Sequence, residues 1–201
     1  MAQLIAPAAP IRRTIAPRFL ATVLISCLLA ASPALAANTY LKTKASAQPG
    51  AIRVVADAAY GDTLAALIKN AGQRIDLAMF LFKASTSRDN LPAGLVRELV
   101  AARQRGVAVR VILESSGHDQ TLNRANQETA QLLRKGGVTV LFDSPDRTNH
   151  AKLTVIDRRY CLMGSHNLTQ SALKYNHELS LLLDDPALAE EILAYMETIL
   201  K

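Results

Sequence analysis

Strand-like and helix-like stretches alternate over residues 51–201, and this alternation is the strongest constraint on the fold. The strand-like runs are short and rich in Val, Ile, Leu and Phe, and the stretches between them are long enough for helices of three or four turns. Strands are predicted over 51–56, 74–82, 107–114, 138–143, 151–156, 160–163 and 177–185, and helices over 61–72, 91–106, the later part of 118–137, and 186–201. This order predicts an α/β fold with a mixed, largely parallel sheet flanked by helices.

The stretch from 51 to 201 is predicted to form one domain, because about 150 residues are enough to bury a core of their own. No internal repeat is visible in it. In its first predicted helix, Asp62 is the expected N-cap and Gly72 the expected end.

Residues 1–36 have the pattern of a secretory signal peptide. A basic segment with three arginines precedes an apolar run of about 13 residues, which is short of the ~20 that span a bilayer. The segment ends in the small-x-small sequence Ala34-Leu35-Ala36. Cleavage after Ala36 predicts a periplasmic or secreted protein, and a retained N-terminal membrane anchor is the alternative. Residues 37–50 are predicted to be a linker, because they lack apolar periodicity and end in Pro-Gly.

Removal of the signal peptide changes both the charge and the cysteine content. The whole chain has 23 basic and 17 acidic residues, and cleavage removes three arginines, which leaves a net charge of about +3 instead of +6. This surplus mildly favours an anionic partner. Cys27 leaves with the signal peptide and Cys161 stays, so the sequence excludes an intrachain disulfide and a Cys-rich zinc site in the mature protein.

Polar residues recur at fixed spacing through the two closely spaced strands near residue 160. The pattern is His150-x-Lys152-x4-Asp157-x6-Gly164-Ser165-x-Asn167. If 150–156 is a strand, His150 and Lys152 face the same side, because strand side chains alternate. Histidine can act as a nucleophile or a proton donor at neutral pH without a metal. The amine, hydroxyl and amide groups can hold phosphate oxygens as charge shifts in the transition state.

This pattern closely resembles the HKD motif of the phospholipase D superfamily, with every defining position filled. The stretches RIDLAMFLF, LVRELVAARQRGVAVRVILE and NHELSLLL are similar to the elements that flank the motif in short, single-motif members typified by a bacterial endonuclease. The resemblance covers about 51–201. It implies a two-step phosphodiesterase that forms a phosphohistidine and uses no metal or other cofactor. It also implies a two-fold homodimer with a composite active site, since the chemistry needs two motifs and this chain has one.

Carried over to this chain, the resemblance implies that His150 is the nucleophile or the acid and that Lys152, Ser165 and Asn167 bind phosphate. Glu178 matches the downstream carboxylate that orients the histidine. Asp157 matches the aspartate of the motif and is expected to support the catalytic set by fixing the strand turn. The catalytic set is therefore predicted as His150, Lys152, Glu178 and Asp157, with no metal ligand.

Each assignment has an ordinary structural alternative. Asp157 is equally well explained as a turn residue, and Glu178 as a surface charge on a strand. Ser165 lacks the G-x-S-x-G sequence of a serine-hydrolase nucleophile, which favours a phosphate contact instead. The three other histidines have no motif role, and surface or pocket-rim positions are expected for them: His118, His166 and His177.

Three functions fit the sequence. An exported nuclease that hydrolyses DNA or RNA is favoured by the small size and single motif. A phospholipase D acting on phospholipid head groups is the alternative, although few loops are long enough to build a lipid tunnel. A non-catalytic nucleic-acid-binding protein is the third, and the complete motif argues against it. Aromatic residues make up 4% of the chain, so binding to single strands would depend mainly on charge.

Overall fold

The computed structural model describes residues 51–144 and 146–201. The predicted signal peptide and linker fall on residues 1–50, outside the described residues, and remain predictions. In chain order the strands are β1 (Ile52–Ala56), β2 (Arg74–Met79), β3 (Ala108–Leu113), β4 (Thr139–Phe142), β5 (Lys152–Ile156), β6 (Tyr160–Gly164) and β7 (Leu179–Asp184). The helices are α1 (Ala59–Asn70), α2 (Leu91–Gln104), α3 (Gln120–Lys135), α4 (Gln170–Lys174) and α5 (Pro186–Ile199).

Within the described residues the strands form one sheet of seven in the order β1-β7-β6-β5-β2-β3-β4. Strands β2, β3 and β4 pair in parallel, and the other four neighbouring pairs are antiparallel. The α/β fold with a mixed sheet is confirmed. The expectation that the sheet is largely parallel needs correction, because only two of the six neighbouring pairs of described strands, β2–β3 and β3–β4, are parallel.

The sheet separates two hydrophobic cores. The larger core lies under α1, α2 and α3 and contains fully buried side chains such as Leu64, Leu99 and Leu133. The smaller core lies on the opposite face under α5, where Met196 packs against Val155 and Cys161 of the central strands. Burial of apolar surface on both faces explains why the central strands consist of nearly continuous apolar residues.

Two local expectations differ from the structure. Helix α1 begins at Ala59, so Asp62 lies in its first turn, and the N-cap is Ala58, whose side chain cannot accept a hydrogen bond. The short helix α4 was not predicted from the sequence. Its first turn is capped by Thr169, whose hydroxyl accepts a hydrogen bond from Ala172 N at 3.1 Å. No helix in the described part of the chain has the length and hydrophobicity to cross a membrane.

Candidate active site

Four strand ends meet at one edge of the sheet, and they bring together the residues of the predicted motif other than Asp157. Strand β5 runs antiparallel to β2, so its first residue, Lys152, pairs with Met79 at the end of β2. Strand β6 runs back beside β5 and ends at Gly164, which pairs with Ser180 near the start of β7. The segments flanking these ends carry His150, Ser165 and Glu178. Antiparallel pairing therefore explains how residues far apart in the sequence reach one site.

His150 and Lys152 form a close pair at the start of β5. The Lys152 Nζ lies 3.0 Å from Nδ1 and 3.2 Å from Nε2 of His150, and donates to the His150 carbonyl at 2.8 Å. Lys152 is 6% exposed, whereas His150 is exposed at the surface. The strand begins at Lys152, so His150 lies just outside it, and the expected proximity of the two side chains is nevertheless observed.

Phe80 forms one wall of this pair. Its ring centroid lies 4.6 Å from that of His150 at an interplanar angle of 56°, and the Lys152 Nζ lies 5.0 Å from the same centroid. The Phe80 N–H donates to the Ala151 carbonyl at 3.1 Å, which ties the end of β2 to the start of β5. The sequence predicted that Phe80 lies in a buried strand. Its place near the end of that strand was the only sequence feature that could have indicated a position at the site.

The surroundings of the pair favour an uncharged His150. Burial lowers the pKa of His150, and the positive charge of Lys152 lowers it further. Burial also lowers the pKa of Lys152, while the carboxylate of Glu178 acts in the opposite direction and favours the ammonium form. An imidazole that is neutral near pH 7 keeps the nitrogen lone pair that a nucleophile needs.

Ser165 connects the ends of β6 and β7. Its Oγ accepts a hydrogen bond from Leu179 N at 3.1 Å and donates to the carboxylate of Glu178. The other oxygen of Glu178 accepts from Asn176 Nδ2 at 3.1 Å. The resemblance implied that Glu178 orients His150, but among the described residues its carboxylate is bonded to Ser165 and Asn176 instead.

Asn167 lies half-buried two residues after Ser165, at the same edge of the sheet. Its Oδ1 atom is buried and has no hydrogen-bond partner among the described residues. The next residue, Leu168, donates through its N–H to the Leu81 carbonyl at 3.0 Å, which holds this loop against the chain that follows β2. An amide that is not fully paired within the protein suits a group that contacts substrate.

Asp157 is not brought to the cluster, because it follows the opposite end of β5. Its carboxylate accepts hydrogen bonds from the N–H groups of Gly72, Gln73 and Arg74 at 2.9, 2.8 and 2.9 Å. The backbone of Asp157 has a φ of 51°, a left-handed conformation that Asp tolerates better than most residues. These contacts tie the turn between β5 and β6 to the start of β2.

His166 is fully buried, so the expected surface or rim position is wrong for this residue. Its ring stacks on Tyr60 with centroids 4.2 Å apart. Nε2 lies 3.0 Å from the Asp57 carbonyl and Nδ1 lies 2.7 Å from the Ser180 hydroxyl. Burial lowers its pKa, and a neutral ring that donates from Nε2 and accepts at Nδ1 satisfies both contacts. His166 therefore anchors the loop that carries Ser165.

His118 and His177 are exposed, as expected. Two buried carboxylates near the site, those of Glu114 and Asp143, were not identified from the sequence. Each is the last residue of a predicted strand, and that position was the available signal, since the carboxyl ends of parallel strands share an edge. No group of three or more potential metal ligands is present among the described residues.

Comparison with known proteins gives a family assignment. The family model described as "Cardiolipin synthase, PLD-like domain" matches residues 64–200, more than half of the chain. The chain belongs to this PLD-like family. The resemblance of its motif to the phospholipase D superfamily is thereby confirmed.

The PLD-like chain is similar over part of its length to two groups of named relatives. It is 33% identical over 95 residues to a phospholipase D of Rickettsia felis, covering 47% of this chain and 45% of the relative. It is 32% identical over 111 residues to the human mitochondrial cardiolipin hydrolase, covering 55% and 39% respectively. The chain thus spans less than half the length of these relatives.

Two solved structures confirm the PLD-like fold. Nuc from Salmonella typhimurium, a phospholipase D family member, superimposes with a TM-score of 0.64 at 23% identity, covering 75% of this chain and 93% of Nuc. NucT from Helicobacter pylori superimposes with a TM-score of 0.57 at 18% identity, covering 74% and 96%. At these identities the likeness establishes the fold alone.

Proposed function

We propose that this PLD-like chain is a metal-independent phosphodiesterase that acts through a phosphohistidine intermediate. The observation that carries this proposal is the His150–Lys152 pair, in which partial burial of the ring and the neighbouring ammonium both lower the pKa of the imidazole. A ring nitrogen of His150 attacks phosphorus, and a P–N bond forms as the P–O bond to the leaving group breaks. Lys152, Ser165 and Asn167 hold the non-bridging oxygens while negative charge accumulates on them.

The second acid–base group is proposed to be His150 of the partner subunit in a two-fold homodimer. At the start of the reaction one of the two His150 rings of the dimer is neutral and attacks phosphorus, and the other carries a proton. The protonated ring donates that proton to the leaving oxygen, then removes a proton from water as the water attacks phosphorus and the P–N bond breaks. The single motif in the chain supports this arrangement. Further support comes from the β1–β7 apolar strip, formed by Ile52, Val54 and Leu179, which are 64%, 60% and 56% exposed. Since Leu179 follows Glu178 directly, the strip reaches the candidate site.

The proposed substrate is DNA or RNA, cleaved by an exported enzyme in the periplasm or outside the cell. The mild positive charge after signal cleavage and the compact single-motif domain support this choice. Hydrolysis of phospholipid head groups is the second candidate, favoured by the names of the relatives, which include phospholipase D and cardiolipin hydrolase. For a lipid substrate, the exposed Tyr175 and Leu179 would contact the membrane surface beside the site.

In the deciding experiment, the purified protein is incubated in excess EDTA with each of five substrates in parallel. They are plasmid DNA, single-stranded DNA, RNA, phosphatidylcholine and cardiolipin. We expect cleavage of nucleic acid in EDTA by the wild type and none by His150→Ala. Cleavage of lipid alone would replace the first candidate with the second. Loss of all activity in EDTA with recovery in magnesium would contradict the mechanism.

A further inference from the structure

Two buried carboxylates lie beside the candidate site and take no part in the proposed reaction. Glu114 follows β3 and Asp143 follows β4, and the parallel pairing of these strands places both residues at the edge of the sheet that carries His150. They are 1% and 7% exposed. Burial of two acidic side chains is unfavourable unless a proton or a strong donor compensates for their charge.

Both carboxylates accept a hydrogen bond from the same backbone N–H, that of Asn149. The Asn149 N lies 2.5 Å from Oε2 of Glu114 and 3.1 Å from Oδ2 of Asp143. Oδ1 of Asp143 also accepts from Ser115 N at 2.5 Å. We call Glu114, Asp143 and the N–H of Asn149 the Asn149 clamp. Because His150 is the next residue, the clamp fixes the backbone from which the proposed nucleophile extends.

The groups that face Glu114 give it no cationic partner among the described residues. Asp143 faces it from the end of β4, the Asn149 N–H from the loop before β5, and the uncharged Asn126 of α3 donates to the Glu114 carbonyl at 2.9 Å. Burial and the neighbouring carboxyl group of Asp143 raise the pKa of Glu114 to about 7, although the hydrogen bond from Asn149 N acts in the opposite direction. Below this pH the Glu114 carboxyl is protonated and can donate to Asp143.

We propose that Glu114 and Asp143 are positioning residues that hold His150 against Lys152 through the Asn149 clamp, and that the clamp needs a proton on Glu114 to keep this geometry. The expected effect on turnover rests on the proposed phosphodiesterase activity. The expected effect on the position of His150 does not. Loss of the proton leaves two facing carboxylates, which repel each other. Asn149 and His150 then move away from the geometry needed for attack on phosphorus.

The test compares Glu114→Gln with Glu114→Ala in the full chain. In Glu114→Gln the amide NH2 can donate to Asp143 as the carboxylic proton does, and the amide oxygen can accept from Asn149 N, but the group does not titrate. In Glu114→Ala the clamp loses one of its two acceptors. Glu128→Gln, at an exposed position of α3, is the matched control.

The kinetic measurement is kcat/KM for bis(4-nitrophenyl) phosphate from pH 5 to pH 9. One unit above a pKa of about 7 only about a tenth of the pairs keep the proton. At pH 8 we therefore expect the wild type and Glu128→Gln to be about tenfold less active than on their plateau. Because 4-nitrophenolate leaves without needing a proton from His150, Glu114→Gln should lack this alkaline loss, and Glu114→Ala should be at least tenfold less active across the range.

The structural measurement is an NMR titration of the His150 ring and of the 13C-labelled Glu and Asp carboxyls, which needs no turnover. We expect the His150 resonance to show a second inflection at the pH where Glu114 titrates, and this inflection should be absent in Glu114→Gln. Superimposable pH profiles together with an unresponsive His150 would overturn the proposal. If the wild type hydrolyses no phosphodiester, the proposed function is wrong, but the Asn149 clamp is not thereby tested. The NMR titration alone then decides whether the clamp exists.

Discussion

At the starts of β5 and β7, Glu178 affects the pKa of Lys152, and Lys152 affects the pKa of His150. The carboxylate of Glu178 favours the ammonium form of Lys152, although Lys152 is almost fully buried. The charged Lys152 in turn favours the neutral form of His150. In the proposed reaction, the charge on Lys152 therefore favours the neutral His150 that attacks phosphorus, and the same ammonium can bind a phosphate oxygen.

The Lys152→Met variant separates these two roles. Removal of the ammonium should raise the pKa of His150 toward its ordinary value of about 6.5, while burial, the larger cause, continues to hold it below that value. The acid limb of the pH–rate profile should move up with it, since the nucleophile must be neutral. Loss of the charge at the phosphate should reduce turnover by about 10²–10³-fold.

The shift is measured by following the His150 ring resonances against pH in the wild type and the variant. Lys135→Met, at an exposed position in the last turn of α3, is the control for removal of a lysine elsewhere. An unchanged His150 pKa in Lys152→Met would show that the ammonium does not act on the imidazole.

Spacing in the sequence was sufficient to predict the proximity of His150 to Lys152, because both lie on one short segment. It was not sufficient for Glu178, whose partner depends on how β7 aligns with β6. The burial of His166 was equally inaccessible, since its contacts with Tyr60 and Asp57 join residues more than a hundred positions apart in the chain. Local sequence patterns predict which residues of one segment are neighbours. Contacts between distant segments depend on the register of the strands, which these patterns do not give.

At the scale of the elements, the close approach of β6 to β7 at Gly164 aligns Ser165 with Glu178. A Cβ at Gly164 would lie 2.3 Å from the Ser180 hydroxyl, 2.4 Å from the Leu179 carbonyl and 2.5 Å from the Ser180 Cα. Two of these atoms belong to the backbone, so the strands would have to separate. The glycine of the motif therefore serves strand packing rather than chemistry.

We expect Gly164→Ala to lower the free energy of unfolding by about 1–3 kcal/mol and to reduce turnover by displacing Ser165. Gly61→Ala is the matched control, because nothing lies within 4 Å of a Cβ at that position of α1. Alanine inside a helix should stabilise the protein by about 0.5–1 kcal/mol. Urea denaturation of both variants measures the two changes, and equal stability of the two would contradict the close-packing argument.

The turn between β5 and β6 provides a second prediction at this scale. Asp157→Asn keeps a residue that tolerates the left-handed backbone but removes the charge that accepts three N–H groups. We expect a loss of about 1–3 kcal/mol in the free energy of unfolding, measured in urea, with unchanged turnover per folded molecule. Reduced turnover at full stability would instead assign Asp157 a direct part in the reaction.

The elements themselves were largely predictable, and their pairing was not. Each predicted strand overlaps an observed one, because apolar runs of four to eight residues bounded by turns report burial directly. The direction of each pair depends on contacts across the chain. β1, for example, pairs with β7 at the far edge of the sheet, a partner more than a hundred residues away. The five residues of α4 are too few for a periodic signal.

At the scale of the whole molecule, the presence of a single motif in the chain is the central feature. The proposed reaction needs one histidine to attack phosphorus and another to protonate the leaving group, and the motif supplies one histidine per chain. Two copies related by a two-fold axis would supply both from identical surfaces. The β1–β7 apolar strip, which adjoins the site, is the surface that such a dimer would cover.

Mixed dimers test this arrangement. Wild-type protein and His150→Ala protein are unfolded, mixed in equal amounts and refolded, so that random pairing leaves about one quarter of the dimers with two wild-type subunits. A hybrid dimer keeps one histidine, which cannot be both nucleophile and acid in the same step, so it should be inactive. Activity per total protein should then fall to about a quarter and follow the square of the wild-type fraction. A linear fall to about half, with subunit exchange confirmed by differently tagged chains, would mean that each chain carries a complete site and would exclude the composite dimer.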